Sequence, residues 1–99
     1  MQINKQLNGT NLTLEIEGRV DTTTAPALEA ELKQSVTSAV QNLVLDFSKV
    51  EYISSAGLRV LLAAQKVMKK QGTMTVQHVN DVIMEVFEVT GFSDILTIV

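Results

Sequence analysis

Two adjacent serines, Ser54 and Ser55, stand between an apolar run, Leu43-Val44-Leu45-Asp46-Phe47, and a stretch from Ala56 to Met68 whose apolar residues recur at helical spacing. A strand that turns into a helix at paired hydroxyls offers two kinds of chemistry. A serine oxygen there can accept one of the backbone N–H bonds that a first helical turn leaves unpaired. A serine hydroxyl there can also carry a phosphate, which the positive end of the helix dipole favours. Either Ser54 or Ser55 can be the cap. Arg59, four residues after Ser55, faces the same side of the helix and could pair with such a phosphate. Gly57 weakens a helix unless something needs to come close to it, so it reads as a place of close backbone approach, where a bulky residue costs partner binding more than stability.

Other chemistry is poorly provided for. The chain has no glycine-rich phosphate loop, no His/Asp/Glu set at metal spacing, and a single histidine. His78 alternates with Met74 and Val76, which reads as a structural histidine at the edge of the core rather than a general base. A triad of Ser55, His78 and Asp21 lacks the Gly-x-Ser-x-Gly elbow that exposes a nucleophilic serine. No metal, no cofactor and no catalytic residue is expected, and the protein is read as a non-enzyme.

The elements that must hold this junction follow from periodicity. Ile3, Lys5 and Leu7, then Leu12, Leu14 and Ile16, alternate with polar residues across the turn signal Asn8-Gly9-Thr10-Asn11, which predicts a hairpin. Asp21-Thr22-Thr23-Thr24-Ala25-Pro26 opens a first helix, with proline in its first turn. Ala25, Leu28, Leu32, Val36 and Ala39 or Val40 carry that helix through about four turns. A third strand over Leu43–Phe47 leads to the second helix, which ends in Lys66, Lys69 and Lys70 and stops at Gly72, a residue suited to a left-handed cap. Met74, Val76 and His78 mark a fourth strand. Asn80 or Asp81 caps a third helix closed by Thr90-Gly91, and residues 95–99 form a last strand.

At 99 residues the chain is one domain, residues 1–99, with room for a single core. The net charge of −3 and the absence of a dense basic patch argue against nucleic acid. No cysteine is present, which excludes disulfides and thiolate metal sites and fits a reducing compartment. The first residues lack a signal-peptide layout, and Arg59 and Gln65 interrupt the longest apolar run. A cytoplasmic protein that does not enter the membrane is expected. Strand–helix–strand crossovers are right-handed, so strands added on one side place every helix on one face of the sheet. Strands that alternate instead of running wholly apolar fit a sheet with one solvated face.

The stretch Ile53-Ser54-Ser55-Ala56-Gly57-Leu58-Arg59-Val60-Leu61-Leu62, preceded by Leu45-Asp46-Phe47-Ser48, resembles the signature of the STAS domains, in particular the bacterial anti-sigma factor antagonists. In that family the junction reads Asp-Ser-Ser/Thr-Gly-Leu, and the serine after the aspartate is phosphorylated. Matched residue by residue, the phosphorylation site is Ser55, with Ser54, the second choice, where the aspartate stands. Gly18-Arg19-Val20-Asp21 matches the family's Gly-x-Leu/Val-Asp motif and brings Asp21 near the phosphosite loop. The resemblance implies an α/β fold, β-β-α-β-α-β-α-β, with a mixed, mostly parallel open sheet of four or five strands and helices on one face. Many members run on into a further C-terminal helix. It also implies a binding surface of Asp21, Ser54, Ser55, Gly57, Leu58 and Arg59. The implied partners are an ATP-dependent serine kinase that doubles as an anti-sigma factor, and a serine phosphatase. Unphosphorylated, the protein would bind the kinase and release a sigma factor. The alternatives are a STAS subunit of an ABC-type transporter, never phosphorylated, and a stressosome-like scaffold.

Overall fold

The hairpin forms where the alternation places it. In the computed structural model, which describes Met1 to Val99, β1 (Gln2–Asn8) and β2 (Asn11–Val20) pair antiparallel across a turn in which Gly9 has φ 64°. Three crossovers then add β3 (Asn42–Ile53), β4 (Thr73–Gln77) and β5 (Thr97–Ile98), each parallel to its neighbour, in the spatial order β1-β2-β3-β4-β5. The intervening helices are α1 (Ala25–Ser35), α2 (Ser55–Lys69) and α3 (Asp81–Thr90), and a short 3-10 turn, Phe92–Asp94, precedes β5. This is the expected open sheet, with five strands.

One face of the sheet carries Leu12, Leu14, Ile16, Leu43, Leu45, Phe47, Met74 and Val76, all buried beneath the helices. From the helices come Leu28 and Leu32, Leu58 and Leu61, Ile83 and Phe87, the last with its ring centroid 6.4 Å from that of Phe47. Every buried residue is apolar, so the core binds by area removed from water. The opposite face shows Thr13, Glu15, Val44, Asp46, Thr75 and Gln77, which remain part-exposed.

Four local expectations change. The first helix ends at Ser35, not at Ala39 or Val40. Val36 leaves the helix at ψ 85°, and the Gln71 side-chain amide holds the loop behind it by donating to the carbonyls of Thr37 and Val40. Val40 is still buried, which is why it kept the apolar period without the helix. The third strand runs on from Phe47 to Ile53. Asp46 and Lys49 face Glu15 and Glu17, and Val50 and Tyr52 face Gly18 and Arg19, so β3 carries one extra residue at each of two bulges. Its buried residues beyond Phe47 are therefore Val50 and Ile53, three apart, a spacing that hides a strand. The last strand is confined to Thr97–Ile98, with Ile95 left exposed before it.

Gly72 is not a left-handed cap: Lys70 ends α2 in right-handed geometry, and Gly72 is absent from the residues with positive φ. It is glycine because the chain leaving α2 presses on the start of β3. A Cβ there would lie 1.8 Å from the Gln41 carbonyl oxygen, and the Thr73 N–H donates to that same oxygen at 2.9 Å. Gly72→Ala must therefore push two backbone segments apart and is expected to cost about 2 kcal/mol, read as a lowered urea midpoint at unchanged slope.

Candidate functional site

β2 and β3 outrun their neighbours. β4 reaches only to Asp46 and β1 only to Glu17, so Gly18–Val20 and residues 49–53 end as a two-stranded ribbon with no strand on either side. At the tip of this ribbon the Ser54 N–H donates to the Val20 carbonyl at 2.8 Å. Ser54 is extended, with φ −99° and ψ 176°. Its Oγ accepts from the Gly57 N–H at 3.4 Å, and its carbonyl from the Leu58 N–H at 2.9 Å. Ser54 is thus the cap, a role in which serine and aspartate are nearly equal. Ser55 becomes the first helical residue, exposed, with its hydroxyl in no hydrogen bond within the chain.

Asp21 follows directly on Val20, the residue that holds Ser54. Its Oδ1 accepts from the Thr23 hydroxyl at 2.7 Å, the Thr23 N–H at 3.0 Å and the Thr24 N–H at 3.2 Å, while Oδ2 lies 3.6 Å from Arg19 Nε. The Thr23 hydroxyl first, then the two N–H groups, hold its carboxyl below the usual aspartate value of 3.8 against some desolvation. The Arg19 guanidinium also sits 4.4 Å above the ring of Tyr52, its register partner across the ribbon. Asp21, Arg19 and Tyr52 are thus linked in a row at the end of the ribbon, and the Ser54–Val20 bond brings the serine pair to the same end.

Of the six candidate surface residues, Asp21, Ser54 and Ser55 gather at this end, and Arg59 stands one turn along α2, exposed. Gly57 and Leu58 turn inward. Leu58 is 6% exposed, within the core. A Cβ on Gly57 would lie 2.7 Å from Val20 Cγ1 and 2.8 Å from Ile53 Cγ1, so the close approach is to the protein's own strands. A larger residue at Gly57 thus disturbs folding first, the reverse of the sequence expectation. Arg19 and Tyr52 were missed, because the bulge at Glu51 that brings them opposite each other leaves no mark on the periodicity.

His78 also departs from expectation. It follows β4 at φ 58°, a left-handed conformation, and its side chain is 63% exposed. Its Nδ1 lies 3.0 Å from Asp46 Oδ1 on the solvated face of the sheet, away from the apolar side. Part-burial pushes the Asp46 carboxyl up, but the Ser48 N–H and His78 outweigh it, and the group ends below 3.8. No hydrogen bond joins His78, Asp21 and Ser55, so the imagined triad is not assembled. No group of His, Cys, Asp or Glu side chains is arranged to hold a metal, and no helix is long and apolar enough to cross a membrane.

A family model described as "Mlab, STAS domain" matches residues 3–98. The chain belongs to the STAS family. Among its relatives are named antagonists of anti-sigma factors. BtrV of Bordetella bronchiseptica, assigned as an anti-sigma factor antagonist, is 39% identical over 84 residues, 84% of this chain and 72% of BtrV. A crystal structure of an anti-sigma factor antagonist from Mycobacterium paratuberculosis superposes with a TM-score of 0.89 at 25% identity, covering 98% of this chain and 83% of that one. Bacillus SpoIIAA, solved in a phosphorylated form, shares the fold with a TM-score of 0.76 at 13% identity over 99% of this chain and 91% of its own. This STAS domain is therefore a member of the anti-sigma factor antagonist group, and its sheet order and helix placement are those of the group.

A lowered carboxyl pKa is a stability statement with a fixed sign. Asp21 and Asp46 contribute stability that is intact above the unfolded value near 3.8 and is lost as the pH falls through their lower folded values. Asp21→Asn is expected to flatten the acid limb of a thermal-melting profile below about pH 4 while preserving the shape of the neutral limb. An acid limb as steep as wild type would show that the threonine bonds to Asp21 hold no folded-state advantage.

Proposed function

We propose that this STAS domain is a phosphorylation-switched anti-sigma factor antagonist, acting by binding and not by catalysis, in the cytoplasm. Unphosphorylated, it binds an anti-sigma factor that is also an ATP-dependent serine kinase, and the sigma factor is released. The kinase then moves the γ-phosphoryl group of ATP onto the Ser55 oxygen, which gives up its proton, and a serine phosphatase restores the hydroxyl. The names of the relatives support the antagonist role, and the phosphorylated form of SpoIIAA supports a switch on this fold.

One observation carries the assignment of the switch to Ser55: Ser54 does the capping, so the neighbouring hydroxyl is exposed and free of structural work. A phosphate on the first helical residue leaves the cap bond in place and faces the favourable end of the helix dipole. It adds about two negative charges to the docking surface without unfolding the domain. Asp21 and Arg19, beside the Val20 anchor, give that surface fixed charges of both signs.

The assignment is tested by incubating the protein with a serine kinase of the anti-sigma type and labelled ATP. Ser55→Ala should take up no label, keep kinase binding and keep its stability, since no bond is lost. Ser54→Ala should still take up label while losing about 1 kcal/mol of stability with its cap. Label that follows Ser54 would move the switch by one residue. If neither serine is labelled, the non-phosphorylated transporter subunit becomes the better reading.

A further inference from the structure

We infer that the outer face of α2 docks an acidic protein segment, one that sets an apolar side chain into the groove between α1 and α2 and lays carboxylates against Arg59, Lys66 and Lys70. Residues 55–70 hold four of the chain's eight basic residues and none of its eleven acidic ones, in a chain of net charge −3. All four, Arg59, Lys66, Lys69 and Lys70, are exposed, and none is in an ion pair. Elsewhere the bases are mostly neutralised: Arg19 by Asp21 at 3.6 Å, Lys33 by Glu29 at 3.8 Å and Lys49 by Glu15 at 3.4 Å. At 3.6 residues per turn, Ser55, Arg59, Lys66 and Lys70 fall within roughly 60° of one another and span about 22 Å of helix.

A groove of about 280 Å³ runs beside this stripe, lined by Leu32 of α1, by Val36 just after it, and by Val60, Ala63, Ala64 and Val67 of α2. Val67 is 48% exposed at its lip. Glu29 and Lys33, which line its α1 wall, are paired with each other, so the free cations nearest the groove are those of the stripe, just outside its lining. An apolar groove beside a row of unpaired cations suits an amphipathic, carboxylate-bearing segment: burial supplies affinity, and the cations supply register and rate of encounter. An extended polyanion or an anionic membrane fits less well. All eleven carboxylates lie on the rest of the surface, with Asp81, Glu85 and Glu88 on α3 in the same helix layer, and would repel a long negative partner.

The docking surface rests on the switch reading only for its regulation. Ser55 lies at the N-terminal end of the stripe, so the roughly two negative charges of a phosphate there offset most of its positive charge and repel the carboxylates that it attracts.

The test is an NMR titration of the full chain carrying Ser55→Ala with a synthetic amphipathic Glu/Leu peptide, at about 50 mM and about 300 mM salt. Amide shifts should be confined to α2 and the facing side of α1, and should weaken at the higher salt. Lys66→Glu with Lys70→Glu should weaken binding at least ~10-fold, about 1.4 kcal/mol. Lys5→Glu, an exposed base on β1, should leave it unchanged, and Val67→Asp should weaken it with an unchanged circular-dichroism spectrum. No shifts on this face, or an equal loss from Lys5→Glu, would overturn the inference. So would tighter binding of double-stranded DNA or anionic phosphatidylglycerol vesicles at the same residues. Failure of Ser55 labelling with the titration intact would remove the switch and leave the docking surface. Labelling with a failed titration would do the opposite.

Discussion

The bond from the Ser54 N–H to the Val20 carbonyl, with Gly57 lying against Val20 and Ile53, ties the ends of β2 and β3 and the start of α2 to one point. The rest of the site depends on it. It ends the ribbon, fixes the extended backbone of Ser54 and so decides which serine faces inward to cap the helix. It also sets Asp21, the next residue after Val20, beside the helix start. The absence of a Cβ at Gly57 lets the helix come this close, and the approach places Leu58 and Leu61 in the core while leaving Ser55 and Arg59 in water.

This division of labour separates the serine that holds the fold from the one that faces water. Ser54 holds the structure, and its neighbour is spared any structural bond. A group added to Ser55 can therefore change the charge of the surface with little change in the fold, because the cap, the core and the ribbon remain as they were. Aspartate at the capping position, as in the family signature, would satisfy the same backbone N–H. The serine found here keeps that physical role.

Charge follows the same layout. The solvated sheet face holds local contacts, the ion pair of Lys49 with Glu15 and the hydrogen bond of His78 with Asp46. α2 keeps its cations unpaired, and α3 carries only acids. A chain with a small net charge thus presents two helices of opposite sign, which favours oriented encounters over general stickiness.

The sequence by itself determined the elements and their order. The alternation of Leu12, Leu14 and Ile16 and of Met74 and Val76 marks half-buried strands, and the right-handed crossover rule stacks them on one side. The hydroxyl pair before Gly57-Leu58 marked the junction, because caps and apolar periodicity are local and leave their pattern in neighbouring residues. Only the tertiary structure decided what depends on contacts between distant segments. The bulges in β3 put Arg19 over Tyr52, Gln41 forces glycine at position 72, and Asp46 draws His78 to the solvated face. The choice between Ser54 and Ser55 belongs to the same class: both are adequate caps as residue types, and it is a carbonyl on β2, more than thirty residues earlier in the chain, that selects Ser54 and leaves Ser55 free.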